Sequence, residues 1–122
     1  MSTLNTALST ALSGMNAAQT LLSTTANNIA NAVTPGYQAE SVDLAAAPTG
    51  GVEVDGIYPS EDDIDNEGAD GGSDVNLALK STNLSNARNL YDANAMVVNI
   101  TNQMYGSLLD IFDNQDQNGD NS

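Results

Sequence analysis

The sequence predicts a mainly α-helical chain with one long helix near each end and a small, irregular, β-like and acidic segment between them. Residues 1–34 contain no charged residue, and their apolar and small residues recur at helical spacing. Residues 77–113 show the same periodicity. Residues 35–76 instead hold all three Pro and eleven of the sixteen Asp and Glu residues, which favours turns and exposed chain. Residues 114–122 are predicted to form a polar tail.

The first helix is predicted from about Leu4 to Ala30. Its apolar and small residues follow one another at alternating steps of four and three, which is the spacing of a coiled-coil seam. The Ala-rich composition also favours helix. The members of this seam are Leu4, Leu8, Ala11, Met15, Ala18, Leu22, Thr25 and Ile29.

The segment TANNIANAVTPGYQ, residues 25–38, is predicted to end this helix. Pro35 disfavours helix for the residue before it and has no N–H to donate. Pro35 and Gly36 fit the two central positions of a type II turn, in which the glycine supplies the positive φ. Tyr37 then follows where the chain reverses.

Three asparagines precede this turn, and they add chemistry that a simple helix end does not need. Asn31 is suited to the left-handed position that closes a helix. The side-chain amides of Asn27, Asn28 and Asn31 can bind the carbonyl groups freed at the helix end, or can reach neighbouring chains.

The middle segment contains two short alternating stretches, Tyr37–Leu44 and Gly51–Ile57, which predict a small β-hairpin or extended arm. From Pro59 to Asp74 the chain is mostly Asp, Glu, Gly and Ser, which is typical of an exposed loop.

The second helix carries two apolar series on different faces. The first is Leu84, Ala87, Tyr91, Asn94, Val98, Thr101, Tyr105, Leu108 and Phe112, and the second is Leu90, Val97, Ile100, Met104 and Ile111. One partner helix cannot cover both faces, so the pattern predicts burial by several neighbours. With one Phe and no Trp or Cys in 122 residues, oligomerisation is the expected way to complete the core.

The composition argues against several classes of function. Lys80 and Arg88 are the only cations against sixteen acids, giving a net charge of −14, so nucleic acid and anionic membrane surfaces are not expected partners. Catalysis is not expected because the sequence has no His, no Cys, no nucleophile-elbow serine and no phosphate-binding motif. No cofactor is expected either. The N-terminus lacks the basic and apolar regions of a cleaved secretory signal, and no apolar run is long enough to span a bilayer.

One metal site is a weak candidate. Asp63, Asp65, Glu67 and Asp74 stand at positions 1, 3, 5 and 12 of an EF-hand-like loop. Position 5 is Glu, position 12 is Asp, and no helices flank the loop properly, so a solvated acidic loop explains the residues more simply.

The order of residues in TANNIANAVTPGYQ resembles the N-terminal signature of the bacterial flagellar axial proteins, the rod, hook and hook-associated family. The upstream ALSGMNAAQTLLSTTANNIAN is similar over its whole length. In the second helix, Tyr91, Ala93 and Asn94 match the Tyr-x-Ala-Asn segment of the family's C-terminal helix. The stretch GGVEVDGI looks like the strand that follows the first helix in the proximal rod protein, the member most like this chain. Gln38 stands where a basic residue is common.

The resemblance implies a structural subunit of the flagellar basal-body rod or adjoining axial structure. The two terminal helices would pair as an antiparallel coiled coil and polymerise into a hollow tube for torque transmission and export. Its partners would be further copies, other axial proteins and the flagellar type III export apparatus, which would export the chain without signal cleavage. The residues expected to serve subunit assembly are Leu8, Met15, Leu22, Asn27, Asn28, Ile29, Asn31, Pro35, Gly36, Tyr37, Tyr91, Asn94, Val98, Tyr105 and Leu108.

Three alternatives stay open at the level of sequence. The first is a hook-like or tubular-sheath member of the same family. The second is a small calcium-responsive binding module held together as a helical oligomer, and the third is a secreted helical adaptor that never polymerises.

Overall fold

The computed structural model describes residues 2–60, 72–73 and 75–119 of the chain. The elements follow in the order α1 (Ser2–Ala30), β1 (Glu40–Ala46), β2 (Val52–Pro59) and α2 (Leu77–Gly119). Two long helices and a small antiparallel sheet between them confirm the predicted mainly helical class. No helix in the described ranges is both long enough and apolar enough to cross a membrane.

The two helices pack against each other in opposite directions. Near the start of α1, Asn5 accepts a 2.7 Å hydrogen bond on its Oδ1 from the Tyr105 hydroxyl, far along α2. Halfway along α1, Gly14 faces the side chain of Asn94. Towards the end of α1, Leu21 lines a notch together with Ala87, near the start of α2.

The residues of the predicted seams form the faces on which the helices meet. All eight seam members of α1 are buried or half-buried, with Ala11 and Ala18 the most enclosed. On α2 the first series is also buried or half-buried from Leu84 to Leu108. Phe112 departs from this pattern with 62% of its surface exposed. The three-and-four spacing therefore identifies the inward face of each helix.

The interior is built from small side chains. The buried apolar residues of the described chain are Ala11, Ala17, Ala18, Ala39, Val75 and Ala87. The largest fully buried side chain among these described residues is the amide of Asn28, which is 1% exposed. A core of this size buries little apolar surface, so much of the stabilising free energy must come from elsewhere.

The hairpin begins and ends slightly later than predicted. Antiparallel pairing runs from Glu40 opposite Pro59 to Ala46 opposite Val52, and a β-bulge leaves Asp55 as the extra residue. Residues 37–39 belong to the connection from α1, because Tyr37 is still held in the turn that follows the helix. The predicted first strand therefore loses its first three residues and extends at its other end.

The hairpin tip is fixed on α1 by a close contact. The Val52 N–H donates to Ser13 Oγ at 3.1 Å. Gly51 has a φ of +90°, and a Cβ there would collide with the Ser13 side chain and come within 3.4 Å of the Thr10 Cα. Glycine is thus required at position 51 both by the backbone conformation and by the packing.

We expect Gly51→Ala to lower the free energy of unfolding by about 1–2 kcal/mol from the positive φ alone, and further through the clash with Ser13. Gly50→Ala is the matched control, because Gly50 has a φ of +93° but its Cβ would lie 4.0 Å from its nearest neighbour. Urea unfolding followed by circular dichroism measures both variants. Equal losses at the two positions would show that the contact with α1 adds nothing.

The second helix is longer than predicted. Asn76 caps its start, since Asn76 Oδ1 accepts the Leu79 N–H at 3.1 Å. The helix continues past residue 113 to Gly119, through part of the stretch predicted as a polar tail. Residues 114–118 contain neither Pro nor Gly, so a helix already formed can extend through them, and Gly119 suits a helix end.

Candidate assembly surface and helix-to-hairpin joint

A tight joint connects α1 to the hairpin and contains most of the predicted polar site residues. After Ala30 the backbone bonds are of the turn kind, with the Thr34 N–H donating to the Asn31 carbonyl at 2.9 Å. The Tyr37 N–H then donates to the Thr34 carbonyl at 3.2 Å, and Gly36 between them has a φ of +72°. This is the Pro-Gly turn that the sequence predicts, with glycine at the position that needs a positive φ.

Asn28 is the centre of the joint. Its Nδ2 donates to the Glu40 carbonyl at 2.7 Å, and its Oδ1 accepts the Glu40 N–H at 2.9 Å. The amide therefore pairs with the first residue of β1 as a neighbouring strand would. The Tyr37 hydroxyl donates to the same Oδ1 at 2.9 Å. We call this set of bonds among Asn28, Tyr37 and Glu40 the Asn28 clamp.

Asn27 and Asn31 support the joint from its exposed side. The Asn31 Nδ2 donates to the Asn27 carbonyl at 2.9 Å, and the Thr34 hydroxyl donates to Asn31 Oδ1 at 3.1 Å. The Asn27 Nδ2 donates to the Tyr37 hydroxyl at 3.3 Å. These side-chain bonds tie the last turn of α1 to Thr34 and Tyr37 in the turn that follows it.

The expectation that Asn31 closes the helix in a left-handed conformation is wrong. Within the described residues only glycines have positive φ, and Asn31 is not among them. The helix ends instead through successive turns, in which the Asn27 carbonyl accepts both the backbone N–H of Asn31 at 3.1 Å and its side-chain Nδ2 at 2.9 Å.

Beside the joint, a polar notch of about 210 Å³ lies between the end of α1, the start of β1 and the start of α2. Lys80 lines it and is only 3% exposed, with Thr24, Thr25 and Glu40 around the same space. Burial of one of the two cations was not predicted, because the spacing of Lys80 does not distinguish a buried position from a solvated one.

The structure places the apolar members of the predicted assembly set within the chain's own helix pair. Each of them is half-buried by the chain itself. This group is Leu8, Met15, Leu22, Ile29, Tyr91, Val98, Tyr105 and Leu108. Asn94 belongs with them, since it faces Gly14 so closely that a Cβ there would lie 2.6 Å from its Nδ2. Their contact with other copies is still a prediction.

The second apolar series of α2 is about half-exposed, and Leu90 at its start also borders a pocket with Leu44 and Val52 of the hairpin. We call Leu90, Val97, Ile100, Met104 and Ile111 the α2 stripe. Each member has between 42% and 55% of its surface exposed. A row of large apolar side chains exposed on one helix face is typical of a protein interaction surface.

No group of three or more potential metal ligands occurs in the described part of the chain. The candidate calcium residues Asp63, Asp65, Glu67 and Asp74 lie outside the residues that the structure describes.

Comparison with protein families gives a match to the family described as flagella basal body rod protein, over residues 8–38. The matched stretch covers most of α1 and the joint up to the residue after Tyr37, whereas β1, β2 and α2 lie outside it. This confirms the resemblance to the flagellar rod and axial family that the N-terminal motif predicts. No curated protein matches the chain.

Proposed function

We propose that this chain, assigned by residues 8–38 to the flagellar rod and axial family, is a subunit that polymerises through its helices into the basal-body rod. The family is structural, and it implies a component of the flagellum. The observation that carries the proposal is that the matched residues form one physical unit. They are the helix and the joint that sets the direction of the hairpin.

The Asn28 clamp supports a role as a subunit that transmits torque. A rod must transmit torque, so the angle between the helix and the outer arm has to be held by more than a flexible turn. The clamp does this with two bonds to one backbone position and a third from Tyr37, all around a side chain that is 1% exposed. Buried and fully satisfied polar groups of this kind rigidify a structure.

Self-assembly is supported by the thin core and the half-exposed α2 stripe. Among the described residues, the largest fully buried side chain is an asparagine. Covering the exposed apolar face of α2 would therefore add substantially to the free energy that stabilises the fold. Further copies of the chain and other axial proteins are the proposed partners, and export by the flagellar type III apparatus is the proposed route to the rod.

The net charge of −14 predicts how this assembly responds to salt. Copies of like charge repel each other, and added salt shortens the range of that repulsion from about 10 Å at 0.1 M to about 3 Å at 1 M. We therefore expect the assembled fraction to rise with sodium chloride concentration, as measured by sedimentation at fixed protein concentration. Dissociation on adding salt would mean that ion pairs, not apolar faces, hold the copies together.

Isolation of basal bodies from the organism that encodes the chain tests the proposed location. With an affinity tag in residues 61–71, we expect mass spectrometry to find the chain in basal bodies from which hooks and filaments have been removed. Recovery in the hook fraction alone would make it a hook-like axial subunit. Absence from both fractions would contradict the proposal.

A further inference from the structure

The outer edge of β1, which faces away from β2, has backbone groups available for a further strand. The N–H and carbonyl of Glu40 both face outward, because both are bound by Asn28. Outward-facing residues alternate along a strand, so the backbone groups of Val42 and Leu44 face outward as well. The β-bulge does not change this alternation, since its extra residue lies on β2. Between the described residues, no hydrogen bond reaches the outward groups of Val42 or Leu44.

A groove runs beside this outer edge. It consists of the polar notch, which Glu40 and Val42 line, and an adjoining cavity of about 330 Å³, which Leu44 lines. The notch and the cavity share Leu21 of α1 and Leu90 of α2 as lining residues. We call the two together the β1 groove. The unpaired edge of β1 therefore borders open space that both helices also line.

Two buried hydroxyl groups in the groove also lack a partner. Thr24 and Thr25 line the polar notch and are 7% and 6% exposed. Among the hydrogen bonds of the described chain, none involves either hydroxyl. A buried polar group without a hydrogen bond costs free energy, so these hydroxyls favour an occupant that brings polar groups into the notch.

The Asn28 clamp indicates what kind of occupant fits. Its amide makes the two bonds to Glu40 that a residue of a neighbouring strand would make. One amide can pair with one residue only, so this imitation of a strand ends at Glu40. An extended backbone carries N–H and carbonyl groups along both of its edges, and it can continue the pairing from Val42 to Leu44.

Charge identifies the source of that strand. Residues 40–59 contain four acids and no cation, and the whole chain has a net charge of −14. A second copy has almost no positive charge to bring, because Lys80 is only 3% exposed and Arg88 is its one other cation. A segment rich in Lys or Arg from a different protein complements this surface.

We infer that the β1 groove binds an extended, positively charged segment of another protein, which adds to the outer edge of β1 as a further strand. The backbone of the segment bonds Val42 and Leu44, and its alternate apolar side chains contact Leu44 and Leu90. The inference goes beyond the proposed rod function, since it concerns a different partner and does not require polymerisation.

A hexapeptide of alternating lysine and valine, capped at both ends, is the probe. Six extended residues span about 20 Å, which is enough to run along β1 from Val42 to Ala46. Fluorescence anisotropy of the labelled peptide measures its binding to the dilute chain. We expect one peptide per chain, and at least tenfold weaker binding when glutamate replaces lysine. Equal binding of the glutamate peptide overturns the inference.

Two proline variants locate the binding edge. Val42→Pro removes the outward N–H and leaves the bonds to β2 in place, a position at which an edge strand tolerates proline. Ile57→Pro is the matched control, because Ile57 lies opposite Val42 and its N–H faces the other edge of the hairpin. We expect Val42→Pro to weaken binding at least tenfold and Ile57→Pro less than twofold, with both folds checked by circular dichroism. Equal binding by the two folded variants overturns the inference.

Modified peptides test the backbone pairing on the wild-type chain, whether or not the variants fold. N-methylation of the three lysines blocks the N–H groups on one edge of the extended peptide, and N-methylation of the three valines blocks those on the other edge. We expect one of these peptides to bind at least tenfold more weakly than the other. Equal binding of both overturns the inference. Tighter binding of a peptide with the sequence of residues 40–46 would assign the edge to a second copy and also overturn it.

The location of the chain keeps this result separate from the proposed function. A chain that binds the lysine peptide through Val42 but is absent from basal bodies would support the inference and contradict the rod proposal. A chain that is recovered in basal bodies and binds no peptide would support the rod proposal and overturn the inference.

Discussion

Asn28→Ala is expected to lower the free energy of unfolding by about 3 kcal/mol. The substitution removes three hydrogen bonds and leaves the Glu40 N–H and carbonyl without this partner, next to a small cavity. A hydrogen bond contributes about 1 kcal/mol net, and a buried group left unsatisfied costs about 1–3 kcal/mol. The loss should appear in urea unfolding, and the Glu40 amide should exchange with solvent faster.

Two comparisons isolate the Asn28 clamp. Asn27→Ala removes an exposed amide whose bond to Tyr37 is 3.3 Å long, and we expect it to cost about 0.5 kcal/mol or less. Asn28→Asp keeps the size but replaces the donor with a second acceptor facing the Glu40 carbonyl, and it buries a charge. It should therefore be at least as destabilising as alanine. If Asn28→Ala lowers the free energy of unfolding no more than Asn27→Ala does, the Asn28 clamp does not stabilise the joint.

Val98→Asp is expected to disrupt the helix pair and to lower the free energy of unfolding by at least about 2 kcal/mol. The variant should also fail to assemble. Val98 is half-buried between α1 and α2, and a carboxylate there must leave part of its hydration without gaining a partner. Leu22→Asp makes the equivalent change on α1. Circular dichroism at 222 nm during urea unfolding measures the stability, and sedimentation measures the assembly.

Asn102→Asp is the matched control, because it adds the same charge to an exposed position on the same helix. We expect its stability to change by no more than about 0.5 kcal/mol. If Val98→Asp unfolds at the same urea concentration as this control, the inward face of α2 contributes little, and the packing of the two helices does not depend on the first seam.

The sequence was a good guide where periodicity and stereochemistry decide the structure. Apolar spacing predicts both helices and their inward faces, and Pro35 with Gly36 predicts the turn, because only glycine takes the positive φ without strain. The hairpin was found only approximately. Its register depends on the bulge at Asp55 and on docking to Ser13, which are tertiary contacts that local pattern does not encode.

The candidate site was less predictable than the fold. The motif indicates Asn28, but Asn28 binds the backbone of Glu40. Every residue has such backbone groups, so the sequence does not show which one is the partner. The seam residues expected to contact other copies pack first against the chain's own partner helix. The second apolar series was easier to interpret. Two apolar faces on one helix predict that one face is not covered by the partner helix, and the α2 stripe is about half-exposed.

The dependence of thermal unfolding on protein concentration shows whether copies of this chain stabilise each other. If copies of this chain cover each other's exposed helix faces, the unfolding temperature must rise with concentration, because assembly stabilises only the folded chain. We predict that rise, together with sedimenting species that grow over the same concentration range. A monomer that melts cooperatively at one temperature, whatever its concentration, would contradict the account.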